Sequence, residues 1–350
     1  MRAISAVDSV SLAFQRTRDF LFRPFSWGTY LKLGLVAIIT EGTGSNLNSH
    51  SSHHGDHSSG HGPMIMSPSD LPLEKIAVVV AAVLLVVVLA VFVFYLITRL
   101  RFAFFHCLIN NTKEIVPGWR LYGSQATRFF WLNMVVGICF LVVMAVVAIP
   151  FITGFVRIFH GIPPGGHPDF GLLLTLILPL IPIILLFILA GVLADLILRD
   201  WMLPHYALDD ATAGEAWAHV WARIMAEKKE FFVYALLRVV LPFIAMVILF
   251  MVLVIPGIFL AGALAAVEIG LHSAFVGAEG GAAVAGTLLQ VFFGVIGFGF
   301  LLLASICLGG PVSTGIREYA LIFYGGRYQE LGDALYPSAV PPIEASASRP

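Results

Sequence analysis

The residues best suited to chemistry gather in one short stretch. Residues 50–61 read His-Ser-Ser-His-His-Gly-Asp-His-Ser-Ser-Gly-His. Neutral imidazole is a favoured ligand for zinc, copper and nickel, so His50, His53, His54, His57 and His61, with Asp56 among them, form a candidate site for a weakly held divalent transition metal. The surrounding glycines and serines make a flexible linker with nothing to impose tetrahedral geometry. A solvated low-complexity loop explains the same composition, so both readings stand.

Ionisable residues inside apolar runs are the second group, because such positions are functional candidates by default. Asp195 precedes Arg199 by four residues, the spacing of a local helical ion pair. Arg238 lies some two turns into another run, within reach of Asp195 or of the headgroup region. Glu268 and His272 share a helix face at i, i+4; two ligands do not make a metal or proton site, and a surface pair is the plainer account. Asn133 is expected to bond a neighbouring helix. The sequence contains no Gly-rich phosphate loop, nucleophile elbow or zinc-protease helix motif. Gly294, Gly297 and Gly299 fall in an apolar run, where small residues let helices approach closely. Cys107, Cys139 and Cys307 are far apart and read as small hydrophobes. These residues predict no enzyme and no cofactor beyond the weak metal.

The elements that carry these residues are apolar throughout. Hydrophobic residues make up 59% of the 350, charged residues only 12%, and the mean hydropathy is +0.93. A soluble domain carries about a quarter charged residues. The net charge of −1 argues against a nucleic-acid partner, which needs a basic face. Spanning a bilayer takes about 20 apolar residues. Six runs meet or approach that length: 25–40, 76–98, 129–151, 170–198, 231–255 and 288–309. The fourth contains Pro179 and Pro182 and is expected to kink. Of the 20 Lys and Arg, all but Lys75 and Arg157 lie on, or border, one alternate set of connections. That asymmetry places both termini in the cytoplasm and the connections 41–75, 152–169 and 256–287 outside. Pro256-Gly257 is expected to break residues 257–277 from the fifth run, leaving an exterior helix or a re-entrant segment. A seventh span would put the basic tail outside, against the charge rule.

Amphipathic stretches flank the spans on the cytoplasmic side. In residues 1–24 a stripe of Ile4, Val7, Val10, Phe14, Thr17 and Leu21 recurs at helical spacing, as in an interfacial helix. The links 99–128 and 199–230 carry Trp119 and Tyr122, then Trp217 and Trp221, the residue types that anchor at headgroup depth. Such helices either hold the spans in place or form a platform for another protein. The two links also look alike. Arg99, Arg101, His106 and Trp119 precede Phe129-Phe130, and Arg199, Trp201, His205 and Trp217 precede Phe231-Phe232. Arg317-Glu318-Tyr319 echoes Arg199-Asp200-Trp201. This suggests parallel internal repeats of helix pairs, the third pair split between the termini. The expected fold is therefore all-α: one polytopic transmembrane bundle over residues 1–337, with an exterior Gly/Ser/His-rich loop at 41–70 and a disordered tail at 338–350.

Several short segments carry a family resemblance. They are Phe14-Gln15-Arg16-Thr17, Arg23-Pro24-Phe25, Glu41-Gly42-Thr43-Gly44, Arg199-Asp200-Trp201-Met202-Leu203-Pro204, Glu215-Ala216-Trp217 and Arg317-Glu318-Tyr319-Ala320-Leu321. In these the chain resembles an uncharacterised family of prokaryotic six-span membrane proteins, loosely related to the membrane domain of some glycerophosphodiester phosphodiesterases. The resemblance implies a multi-pass protein of the inner membrane and carries over no functional residue; the His-rich insertion departs from it. No extra-membrane segment is long enough for a phosphodiesterase domain, so the enzyme activity does not follow. The function expected is that of a structural, assembly or accessory subunit, partnered by lipid and by another membrane protein or a second copy. A transporter or channel for a neutral or lipidic solute is the alternative.

Overall fold

The computed structural model describes residues 4–42, 73–160, 170–275 and 281–336, and every regular element among them is helical. The helices are α1 (Asp8–Phe22), α2 (Trp27–Gly42), α3 (Leu73–Ile109), α4 (Ile115–Leu121), α5 (Gly123–His160), α6 (Phe170–Leu196), α7 (Leu203–Leu208), α8 (Ala213–Ala226), α9 (Lys228–Phe275), α10 (Gly281–Gly325) and α11 (Gln329–Leu335). A π-helical turn, Ile197–Met202, joins α6 to α7. The His-rich stretch 50–61 and the tail 338–350 lie outside the described residues.

Among the described residues, five helices are long and apolar enough to cross a membrane: α3, α5, the run from α6 through α7, α9 and α10. The first expected span becomes α2, only 16 residues long and held at one end of the bundle. Its side chain at Tyr30 bonds the Cys307 carbonyl, and its last turn meets Arg101, Arg199 and Arg238. Glu41, expected outside, is therefore at the same end as the basic links.

That end, the base, holds the packed core. The last turns of α3 bring Phe102, Phe104, Phe105 and Leu108 inside, where they meet Phe129 of α5 and Tyr206 of α7. Trp201 packs on Phe231 at 4.8 Å between ring centres, and Tyr234 on Phe323 at 4.3 Å. Such aromatic pairs contribute about 0.5–1.5 kcal/mol each beyond their buried area. Above the base the apolar stretches turn outward, with Leu85, Leu185, Phe243 and Phe298 all exposed. A face of that kind is stable only in hydrocarbon or against another apolar surface.

Glycines set the helix pairing. A Cβ on Gly154 of α5 would fall 2.6 Å from Leu176 Cδ1 of α6, and one on Gly297 of α10 2.6 Å from Leu264 Cδ1 of α9. Prolines do not break these helices. Pro150, Pro179, Pro182 and Pro311 all lie inside continuous ones. The break expected at Pro256-Gly257 is absent too: α9 runs 48 residues, about 72 Å at 1.5 Å per residue. The antiparallel α10 flanks it past that point, where Gly297 meets Leu264 and Gly286 meets Phe275. At Pro311 the compensation is explicit. Proline has no N–H for the carbonyl four residues back, which is Cys307, and the Tyr30 hydroxyl donates to that carbonyl instead.

Helix α1 stands antiparallel against α10, with Ile4 beside Gly326, Arg16 beside Glu318 and Thr17 beside Gly315. Its buried face is Ser9, Ala13, Thr17 and Phe20, while Val7 and Phe14 of the expected stripe point outward. Ser9, Ala13 and Thr17 permit the close approach, and Phe20 and Leu21 are buried beyond them. Asn133 bonds the Phe129 carbonyl of its own helix rather than a neighbour.

Candidate functional site

The main site is an ion network buried in the base. Five consecutive residues, Leu198–Met202, are buried around the π turn. An α-helix rotates each successive side chain by 100°, so adjacent residues face different neighbours. Here Arg199, 3% exposed, and Asp200, 1% exposed, both lie inside, because helices surround this turn on every side. Asp200 Oδ2 accepts from the Tyr234 hydroxyl and from Arg238 Nε, each at 2.8 Å. Its Oδ1 accepts from Arg317 Nη1 at 3.1 Å, a nitrogen that also donates to the Arg199 carbonyl. Glu41 Oε2 takes Arg199 Nη2 and, at 3.2 Å, Arg238 Nη2. Arg101 Nε donates to the Thr40 carbonyl at 3.1 Å. The C-terminal end of α2, with its partial negative charge, thus faces three guanidinium groups.

Of the residues singled out in the sequence, Asp195 and Arg199 do pair, at 3.3 Å. Arg238 is brought to Asp200 and Glu41 rather than to Asp195. Glu268 and His272 belong to α9, and their side chains lie outside those described. Glu41, Asp200, Tyr234, Arg317 and Arg101 escaped the sequence reading. The echo of Arg199-Asp200-Trp201 in Arg317-Glu318-Tyr319 was the available signal, since the two motifs supply Asp200 and its partner Arg317. A further buried carboxylate, Glu318, has Arg16 Nε 3.1 Å away, which ties α1 to α10.

A second constellation lies where α7, α8 and α11 meet. His205 Nε2 is 2.8 Å from the Tyr324 hydroxyl and 3.2 Å from Arg223 Nη1. A guanidinium only donates, so Nε2 accepts; the ring proton is on Nδ1 and goes to Asp209 Oδ2 at 2.9 Å. Burial works to raise the Asp209 carboxyl, but the neighbouring Tyr328 hydroxyl and the His205 ring outweigh it and hold it below its ordinary value. Helix α8 opens on a capping box: Thr212 accepts from the Glu215 backbone, and Glu215 accepts from the Thr212 backbone and hydroxyl. Those bonds keep the Glu215 carboxyl below its usual range. Thr212→Ala should weaken the first turn of α8 by about 1 kcal/mol. Hydrogen exchange of the Glu215–Val220 amides, faster in the variant while α9 amides are unchanged, checks this. Among the described residues no three His, Cys, Asp or Glu side chains are grouped to hold a metal ion.

Fold and site together define a class: among the described residues, an all-helical protein in which five helices, long and apolar enough to cross a membrane, rise from an ion-paired aromatic base. The chain matches the family described as a family of unknown function (DUF7544) over residues 4–334, and it belongs to that family. No curated protein and no solved structure matches it.

Proposed function

We propose that this is a non-enzymatic multi-pass protein of a prokaryotic cytoplasmic membrane, acting as a structural, assembly or accessory subunit of a membrane complex. One observation carries the reading: the buried charged groups on the long helices collect at one end and pair with one another there, while the apolar stretches turn outward. Buried pairs of this kind fix how helices are held together. The outward apolar faces suit lipid, another membrane protein or a second copy.

Arg327 Nη1 donates to the Ile4 carbonyl at 2.9 Å, so the N-terminal helix and the end of α10 share one side. With the basic links on that side, the charge rule makes it cytoplasmic. Val7 and Phe14 on α1, and Trp217 and Trp221 on α8, face outward and supply interfacial anchors. Kinship with the membrane domain of glycerophosphodiester phosphodiesterases and the parallel repeats of helix pairs belong to the same proposal. Purification in mild detergent tests it: a membrane protein retained in fixed stoichiometry is the expected result. A solitary protein that moves a neutral or lipidic solute into liposomes would replace this reading with the transport one.

A further inference from the structure

We propose that the corner where α1 turns into α2 binds the headgroup of an anionic phospholipid, with Arg23 and Lys113 holding its phosphate. The two cations come from distant parts of the chain. Lys113 Nζ, from the link between α3 and α4, donates to the Pro24 carbonyl at 2.6 Å, which sets its ammonium group beside the Arg23–Phe25 stretch. An ammonium carries three donors, so two remain for a ligand. Lys32 approaches from the second turn of α2. It is exposed and lies near Cys107, whose thiol donates to the carbonyl of Glu114, the residue after Lys113.

Charge at this corner is unbalanced. Arg18 and Arg23 share one carboxylate, Asp19, at 3.6 and 3.5 Å, and all three side chains are about half exposed or more. Lys32, Lys113 and the exposed Glu114 make no ion pair with any described residue. Four cations thus stand against two carboxylates, and the excess is positive. Such a surface attracts an anionic headgroup.

The rings at the same corner select a lipid over a soluble anion. Phe22, Phe25 and Trp27 cluster there, with the Phe25 and Trp27 ring centres 5.2 Å apart, and Trp27 is 63% exposed. Phe22 and Phe25 also pack on Tyr30, whose hydroxyl donates to the carbonyl of Cys307 in the apolar run of α10. Further along that run Leu303 and Phe300 are exposed. The cations therefore border an apolar face across a strip of aromatic rings. A phospholipid presents phosphate, glycerol and acyl chain in that order, and aromatic side chains favour the middle level. A free phosphate leaves the rings uncovered. Phosphatidylcholine carries its own ammonium beside the phosphate, so the positive excess favours a lipid of net negative charge, such as phosphatidylglycerol.

The inference rests on the membrane reading above and not on the subunit role, since a solitary transporter would show the same lipid preference. The test is the full chain in phosphatidylcholine vesicles, with a small fraction of the lipid carrying brominated acyl chains, which quench tryptophan on contact. The brominated lipid is phosphatidylglycerol in one arm and phosphatidylcholine in the other. Quenching that disappears in Trp27→Phe reports this corner. Brominated phosphatidylglycerol should be at least about fivefold more effective there, the gain expected for one cation near an anionic headgroup. Arg23→Gln combined with Lys113→Gln should bring the two lipids level, with thermal unfolding confirming that the protein is folded. If the double variant does not fold, Arg23→Gln alone, at a side chain 72% exposed, should at least halve the preference. Lys229→Gln, an exposed cation at the start of α9, should leave the preference unchanged. Equal quenching by the two lipids, or a preference that survives in the double variant, overturns the proposal. So does a corner that neither lipid quenches, which places it in water or against a protein. Displacement of phosphatidylglycerol by inorganic phosphate overturns it too, in favour of a free anion.

Discussion

Asp200→Ala is expected to remove most of the stability of the base. The carboxylate is wholly buried and is the shared partner of Arg238, Arg317 and the Tyr234 hydroxyl. Truncation leaves two guanidinium groups facing each other with water excluded. Breaking a buried pair from one side is destabilising by about 3–5 kcal/mol, against a total for a typical domain of about 5–15 kcal/mol. Detergent-solubilised protein should unfold at a markedly lower temperature by tryptophan fluorescence, which Trp201 reports from within the site. Asp195→Ala supplies the contrast. That carboxylate is 43% exposed and touches Arg199 alone, which keeps Glu41 as its other partner. Its loss should amount to less than about 1 kcal/mol, as for exposed ion pairs. Equal effects from the two variants would mean that the network is not organised around Asp200.

Much of the architecture was written in local patterns. The apolar runs that became α3, α5, α6, α9 and α10 are long enough to be read without tertiary information, and the Asp195–Arg199 spacing gives its pair directly. Length alone misplaced α2. Residues 25–40 are as apolar as a span, but the helix is held by contacts no local pattern encodes. Tyr30 answers the proline of a helix nearly 300 residues away, and Glu41 meets arginines of the π turn and of α9. Pro256 misled in the other direction. A proline inside a helix removes one hydrogen bond without having to end it, and α9 runs through continuously.

The ion network was half legible for the same reason. Arg199 and Arg238 stood out as charges inside apolar runs. Asp200, the partner of Arg238, adjoins Arg199 in sequence and both are buried, on a π turn that nothing in the composition of Ile197–Met202 announces. On α1 the interfacial stripe divides: Val7 and Phe14 face outward, while Thr17 and Leu21 join Ser9, Ala13 and Phe20 on the buried side, a split that helical spacing alone does not encode.

Close approach also governs the second large effect, at Gly310. A Cβ there would lie 2.6 Å from the Cα of Gly34, backbone against backbone, with no flexible side chain able to yield. Gly310→Ala must therefore push α2 away from α10. Displacing α2 strains the bond from Tyr30 to the Cys307 carbonyl and moves Glu41 within the ion network at its other end. Overpacking of this kind is destabilising by about 1–3 kcal/mol, and the upper part of that range is expected here because both ends of α2 are tied. Gly299, eleven residues earlier on the same helix, has nothing within 4 Å of the equivalent position. Gly299→Ala should leave thermal stability unchanged or raise it by up to about 1 kcal/mol, since alanine loses less backbone freedom on folding. Both variants change one hydrogen to a methyl group in α10, so a difference in sign between them isolates the α2 contact. If Gly310→Ala instead behaves like Gly299→Ala, α2 is not seated against α10, and the placement of Glu41 among the arginines falls with it.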